Sequence, residues 1–205
     1  MNMKTRNFWA ALALLFITAL YAWWDVTFWP PQGPYTLRLA AHLLAVVGLT
    51  FIFLQFLLIS RLPLLEKNLG RKFMLQYHRL FGKIGITLIF LHGLFILVFQ
   101  WLAFGRIHIH LYMVIGIVAF LTFFAMAVKY MKWGMAYKTW RNIHRANYVV
   151  FPLSLVHVIY NAYSGTLLYV LWVLYALGYL LVVAFKVSLW ARERKKAEKK
   201  IDTGR

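Results

Sequence analysis

The stretch Leu75–Trp101, LQYHRLFGKIGITLIFLHGLFILVFQW, decides how this chain folds. At about 1.5 Å per residue a helix of this length exceeds the ~30 Å hydrocarbon core of a bilayer. Its only formal charges, Arg79 and Lys83, sit in its first third. The rest of the chain has the same character. Hydrophobic residues make up 63% and charged residues 14%, against about 45–50% and about 25% in soluble proteins. A water-soluble fold of 205 residues has too little interior to hide that much apolar surface, so the class is an all-α integral membrane protein.

Six apolar runs are expected to span the membrane: Phe8–Phe28, Thr36–Ser60, Leu75–Trp101, Ile109–Tyr130, Ile143–Tyr160 and Leu167–Trp190. Pro30, Pro31, Gly33 and Pro34 break the chain after the first run, Pro63 and Gly70 after the second, and Asn161, Ser164 and Gly165 after the fifth. The first run follows Lys4 and Arg6 as a secretory signal would. It is long, ends in Trp23, Trp24, Phe28 and Trp29, and lacks a small-residue cleavage site, so a retained helix is expected. Of the 23 Lys and Arg, only Arg38 and Arg106 fall on one side. The inside-positive rule then puts both termini in the cytoplasm of a multi-pass inner or plasma membrane protein. The whole chain, 1–205, reads as a single domain, with residues 191–205 as a basic cytoplasmic tail beside anionic lipid.

In a soluble protein the net charge of +18 would suggest nucleic acid. Here membrane anchoring accounts for it, and the lipid bilayer is the expected partner rather than nucleic acid. The absence of Cys excludes disulfides, thiolate metal sites, Cys-ligated iron–sulfur clusters and c-type haem attachment. The five carboxylates, Asp25, Glu66, Glu193, Glu198 and Asp202, make a paired-carboxylate catalyst improbable.

The histidines carry the functional signal. His78 and His92 lie 14 residues apart in the third run, and His144 and His157 lie 13 apart in the fifth. Both runs go from inside to outside, and the separations amount to about 21 Å and about 19.5 Å. Two runs therefore offer matched imidazoles at two depths, His78 with His144 and His92 with His157. Ionisable residues within a membrane are costly and mark function. Imidazole is a common axial ligand of haem, and two bridging pairs would make two bis-His sites. Zinc fits less well, because each level supplies only two donors. One angle opposes the scheme. At about 100° per residue, 13 positions miss a common face by about 140°, and Pro152 is the residue expected to kink or rewind that helix.

An Arg follows each inner His, in Tyr77-His78-Arg79 and Ile143-His144-Arg145. Arg79 and Arg145 either hold haem propionates in a guanidinium fork or act as ordinary inside-positive anchors. Gly82, Gly85 and Gly93 either clear space for a flat macrocycle or let helices pack closely. His42 reads as a hydrogen-bonded packing residue, or as one that lines the outer haem edge, relays protons or binds a substrate. His108 and His110, by an outer loop, read as solvated or as metal ligands.

The segment RLPLLEKNLGRKFMLQYHRLFGKIGITLIFLH at Arg61–His92, with WRNIHRANYVVFPLSLVH at Trp140–His157, resembles the ferric-reductase-like transmembrane domain. That superfamily includes ferric reductases, NADPH oxidases and the haem-binding membrane subunit of the periplasmic methionine sulfoxide reductase system. The likeness covers roughly residues 40–185. It implies a six-transmembrane-helix bundle with two b-type haems between the third and fifth spans. It maps the inner ligands onto His78 and His144 and the outer ligands onto His92 and His157.

The expected function is transmembrane electron transfer. A cytoplasmic flavoprotein, reduced flavin or quinol would be the donor. An extracytoplasmic acceptor such as ferric iron, oxygen or a partner reductase would be the sink. No Gly-rich dinucleotide fingerprint occurs in the sequence, so flavin (FMN or FAD) is expected on a partner, and the chain as an oxidoreductase component without its own NAD(P)H domain. The alternatives are the methionine sulfoxide reductase membrane subunit and, in another class, a haem transport or storage protein.

Overall fold

The computed structural model describes residues 9, 12, 13, 16, 17, 20, 35–60, 62–132, 136–161 and 166–203. Beyond the isolated N-terminal positions they form α1 (Tyr35–Ile59), α2 (Pro63–Leu69), α3 (Arg71–Phe104), α4 (Leu111–Lys132), α5 (Tyr137–His144), α6 (Asn147–Asn161) and α7 (Thr166–Thr203). Every regular element among them is helical. Most of the expected first span Phe8–Phe28 lies outside the described residues. So do the Pro30–Pro34 turn, Lys4, Arg6, Arg61, Ser164 and Gly165.

Among the described residues three helices are long and apolar enough to cross a membrane, at Thr36–Ile59, Arg71–Phe104 and Leu168–Arg192, and α4 adds the shorter apolar stretch Leu111–Met126. Large exposed apolar residues line α4 and α7, among them Ile117, Leu121, Phe124, Val173, Leu177 and Leu181. Continuous apolar surface of that extent belongs against lipid. The protein is a membrane protein with helices embedded in the bilayer.

The helix ends follow local chemistry. Ser60 closes α1 by donating its hydroxyl to the Leu57 carbonyl at 2.6 Å. Pro63 then opens α2 at a first-turn position that needs no N–H. Gly70, at φ 78°, separates α2 from α3. Gly105, at φ 64°, caps α3 by donating its N–H to the Trp101 carbonyl. At its far end α7 runs beyond Trp190 without a break to Thr203, so the basic tail begins as a helical extension. Arg194 and Glu198 pair there at 3.1 Å, both exposed.

The α1 helix packs most extensively on α3, and α4 on α6. Between α1 and α3 the approach is set by glycine. A Cβ on Gly85 would meet Ile52 at 3.0 Å and the Gly48 carbonyl at 3.2 Å, and one on Gly82 would meet Gln55 Oε1 at 2.9 Å. These two glycines serve close helix packing, the usual role of small residues where lipid removes the hydrophobic drive between helices.

The main core joins α1, α6 and α7 through Val46, Phe53, Phe56, Phe151, Leu171, Trp172 and Tyr175. Thr50 Oγ1 lies 2.6 Å from Tyr175 Oη in this core. Interhelical bonds of this kind contribute about 0.6 kcal/mol on average in membranes. A second cluster sets Leu12 against Leu54, Leu58, Met74 and Phe81. Trp9 meets Tyr77 edge-on at 5.2 Å, so the described N-terminal residues lie on the α1–α3 pair.

The expected fifth span, Ile143–Tyr160, is not one helix. It divides at a turn over Arg145–Ala146, with His144 closing α5 and His157 on α6. Alone, α6 covers about 22 Å, less than the hydrocarbon thickness. The α5 residues Trp140 and Ile143 turn toward α4. With Val118, Leu121, Thr122, Ala125 and Met126 they line an open groove of about 400 Å³.

Two histidine pairs as candidate haem sites

The two helix pairs bring the four histidines together two by two. On α3 and α5, His78 and His144 have ring centres 6.1 Å apart with planes at 87°. On α3 and α6, His92 and His157 have ring centres 6.5 Å apart with planes at 74°.

The angular miss of the fifth run is reduced by overwinding. The N–H groups of Ala146, Tyr148 and Val149 donate to carbonyls three residues back, those of Ile143, Arg145 and Ala146. Each residue wound in this 3₁₀ manner adds about 20° over the α-helical rotation, in the sense that brings His157 back toward the face of His144. Pro152 lies inside α6. Lacking an N–H, it leaves the Tyr148 carbonyl without its helical donor, and the Tyr179 hydroxyl of α7 donates to that carbonyl. The turn that separates His144 from His157 lies upstream of it, at Arg145–Ala146.

Each ring is oriented through Nδ1. On His92 it lies 2.9 Å from the Ala41 carbonyl, on His157 2.6 Å from the Tyr112 carbonyl, and on His78 3.4 Å from the Gln55 carbonyl. A carbonyl accepts only, so it selects the tautomer with the proton on Nδ1 and leaves the Nε2 lone pair free. Ligating imidazoles are usually held this way. Ala41 and Gln55 are themselves 14 residues apart on α1. They match His78 and His92 on the antiparallel α3, so one helix presents two carbonyls at the spacing of the two rings.

Haem is the group whose fit must be tested. An imidazole nitrogen bonds a first-row metal at about 2 Å and its ring centre lies about 1 Å further on, so two axial imidazoles of one metal have centres about 6 Å apart. Both pairs meet that spacing. Among the described residues no three His, Asp or Glu cluster tightly enough to hold a metal ion. Two imidazoles and nothing more suit a macrocycle that brings its own four nitrogens, and they suit a zinc ion poorly. Gly93, beside His92, has no atom within 4 Å of a notional Cβ and so leaves room for a flat ring.

Arg79 and Arg145 are exposed next to the inner pair. Trp140 stacks on His144, with ring centres 4.8 Å apart and planes at 21°. His42, on α1, has His92 and Arg38 as electrostatic neighbours. Arg38 in turn sits 5.8 Å over the Phe99 ring. His108 accepts from Arg106 Nε at 3.0 Å and stacks on His110 at 6.2 Å. These last two form a small cluster, and His110 in turn stacks on Tyr112, whose carbonyl holds His157, at 5.2 Å.

One contact has no counterpart in the sequence pattern. A Cβ on Gly116 of α4 would lie 2.6 Å from both Cε1 and Nδ1 of His157. Gly116 stands one turn beyond Tyr112, so the same face of α4 supplies the carbonyl and the clearance for that ring. No periodicity or motif pairs position 116 with position 157.

Residues 44–155 match the family model described as ferric reductase like transmembrane component. The matched segment holds His78, His92 and His144 and ends two residues before His157. None of the curated proteins matches the chain.

Proposed function

Because the chain belongs to the ferric reductase like transmembrane family, we propose that it carries electrons across the membrane through two b-type haems. The inner haem is held by His78 and His144, the outer by His92 and His157. One observation carries the reading: two imidazole pairs with ring centres 6.1 and 6.5 Å apart, at two levels of one helix bundle. Haem bound at each level supplies a one-electron centre whose potential follows its axial ligands and their hydrogen bonds.

The chain's own part is positioning. Ala41, Gln55 and Tyr112 hold the rings by Nδ1 and keep Nε2 free. Arg79 and Arg145 offer guanidinium forks to propionates at the cytoplasmic boundary. The apolar helices keep water away. Six spans with both ends inside complete the scheme, with the Phe8–Phe28 run as the first and α5–α6 together as the fifth. Donor electrons enter on the cytoplasmic side from a flavoprotein, reduced flavin or quinol. Lys67, Arg71, Lys72, Lys138 and Arg141 form a basic rim there that favours an anionic donor. Electrons leave outside to ferric iron, oxygen or a partner reductase, the last being the role of a methionine sulfoxide reductase membrane subunit. Nδ1-anchored rings in pairs oppose the loose, exchangeable binding that a haem carrier needs.

The purified protein is expected to show sharp reduced b-type absorption bands and to carry two haems per chain. A preparation from haem-sufficient cells with no haem absorption sinks the proposal. A reporter fused to the C-terminus is expected to be active only if it works in the cytoplasm. Activity restricted to the outside contradicts the six-span topology.

A further inference from the structure

Three of the four paired histidines lean on backbone carbonyls. The fourth, His144, has a side chain in that place: Asn147 Nδ2 lies 3.4 Å from His144 Nδ1, and Asn147 Oδ1 is buried with no hydrogen-bond partner. The two ends of a carboxamide are isosteric. Turned half round, the amide sets Oδ1 against Nδ1, so that a His144 with its proton on Nδ1 and Nε2 free for a metal meets the same kind of acceptor as its three counterparts rather than a second donor. The spacing is local, from the last residue of α5 across the turn to the first residue of α6. Trp140 stacks on the same ring, so contact and hydrogen bond together fix its plane.

The geometry points to Asn147 as the positioning residue of the inner site. It accepts the Nδ1 proton of His144, fixes the tautomer that presents Nε2 to the metal, and tunes the electron density that the ring donates. The inference rests on the bis-His reading above and extends it. At three ligands the tuning group is backbone and cannot be changed by substitution. At His144 it is a side chain, so the inner potential can be tuned by one substitution. A stronger acceptor at Nδ1 makes the imidazole more basic and favours the oxidised metal. A missing acceptor does the reverse.

The test is a redox titration of the purified full-length protein, followed in the visible spectrum, with Asn147→Asp and Asn147→Leu beside the wild type. The inner signal is identified as the one that His144→Ala removes. Asn147→Asp is expected to move the inner equilibrium about tenfold or more toward the oxidised form, about 59 mV per tenfold for one electron. Asn147→Leu is expected to move it toward the reduced form, and the outer signal stays in place in both. Shifts of opposite sign at one centre are the signature that a packing role does not produce. Inner signals that coincide with wild type in both variants, or that move the same way, overturn the inference while leaving the two-haem reading intact. A wild type without haem overturns both. If Asn147→Leu does not accumulate, the near-isosteric Asn147→Asp decides alone: a move toward the oxidised form supports the inference and an unmoved inner potential ends it.

Discussion

Replacing His92 or His157 by Ala is expected to remove the outer haem and halve the haem content, and replacing His78 or His144 is expected to remove the inner one to the same extent. The ring-centre distances of 6.1 and 6.5 Å make each pair one unit. A metal held by two protein ligands loses its six-coordinate low-spin state when either goes, and the surviving imidazole alone competes poorly with exchange. The two members of a pair should therefore give the same spectrum. The double variant His78→Ala/His144→Ala should be little worse than either single one, the strong non-additivity expected of residues that share a partner. A double variant across levels, His78→Ala/His157→Ala, should lose everything. Haem-to-protein ratios and reduced-minus-oxidised spectra of the purified variants measure all of this. Full haem in all four single variants, or loss that pairs His78 with His157, would show that the ligand assignment is wrong.

Much of this arrangement is legible in the amino-acid sequence. Apolar runs of some 20 residues forecast α1, α3 and α7, because a membrane forces backbone polar groups into helices whatever the tertiary contacts are. The pairing His78–His144 and His92–His157 follows from spacing, since near-equal separations on two helices running the same way put equal depths together.

What stays hidden has a common physical cause. The break at Arg145–Ala146 comes from backbone groups bonding three residues back rather than four, which no Gly or Pro announces. Pro152, the visible candidate, lies inside α6 and is accommodated by Tyr179. The Nδ1 acceptors at Ala41, Gln55 and Tyr112 are carbonyls, which every residue has, so their side chains say nothing. The glycines are ambiguous for the opposite reason. Small residues signal close approach without saying to what, and it takes the contacts to assign Gly82 and Gly85 to α1 and Gly116 to a histidine ring.

That last contact carries the second large effect. Gly116→Leu is expected to abolish the outer haem and leave the inner one in place, with Gly116→Ala intermediate. Even the single Cβ of Ala would lie 2.6 Å from two ring atoms of His157, well inside van der Waals contact. The ring has little room to yield, because its Nδ1 lies 2.6 Å from the Tyr112 carbonyl on the same helix. Either α4 moves away, which breaks that hydrogen bond, or His157 rotates, which takes Nε2 off the line to His92. Rotation of His157 disturbs the outer level alone, and a shift of α4 reaches the inner level only indirectly, through Trp140 of α5, which lies against α4 and stacks on His144. Gly85→Leu is the instructive contrast. Its Cβ faces Ile52 and the Gly48 carbonyl across the α1–α3 seam, so it should push apart the helices that set Ala41 against His92 and Gln55 against His78, and weaken both haems. Selective loss from Gly116 and joint loss from Gly85, read as separate inner and outer signals in a redox titration, is the expected pattern. An undiminished outer signal in Gly116→Leu would mean that α4 gives way freely and does not seat the ring.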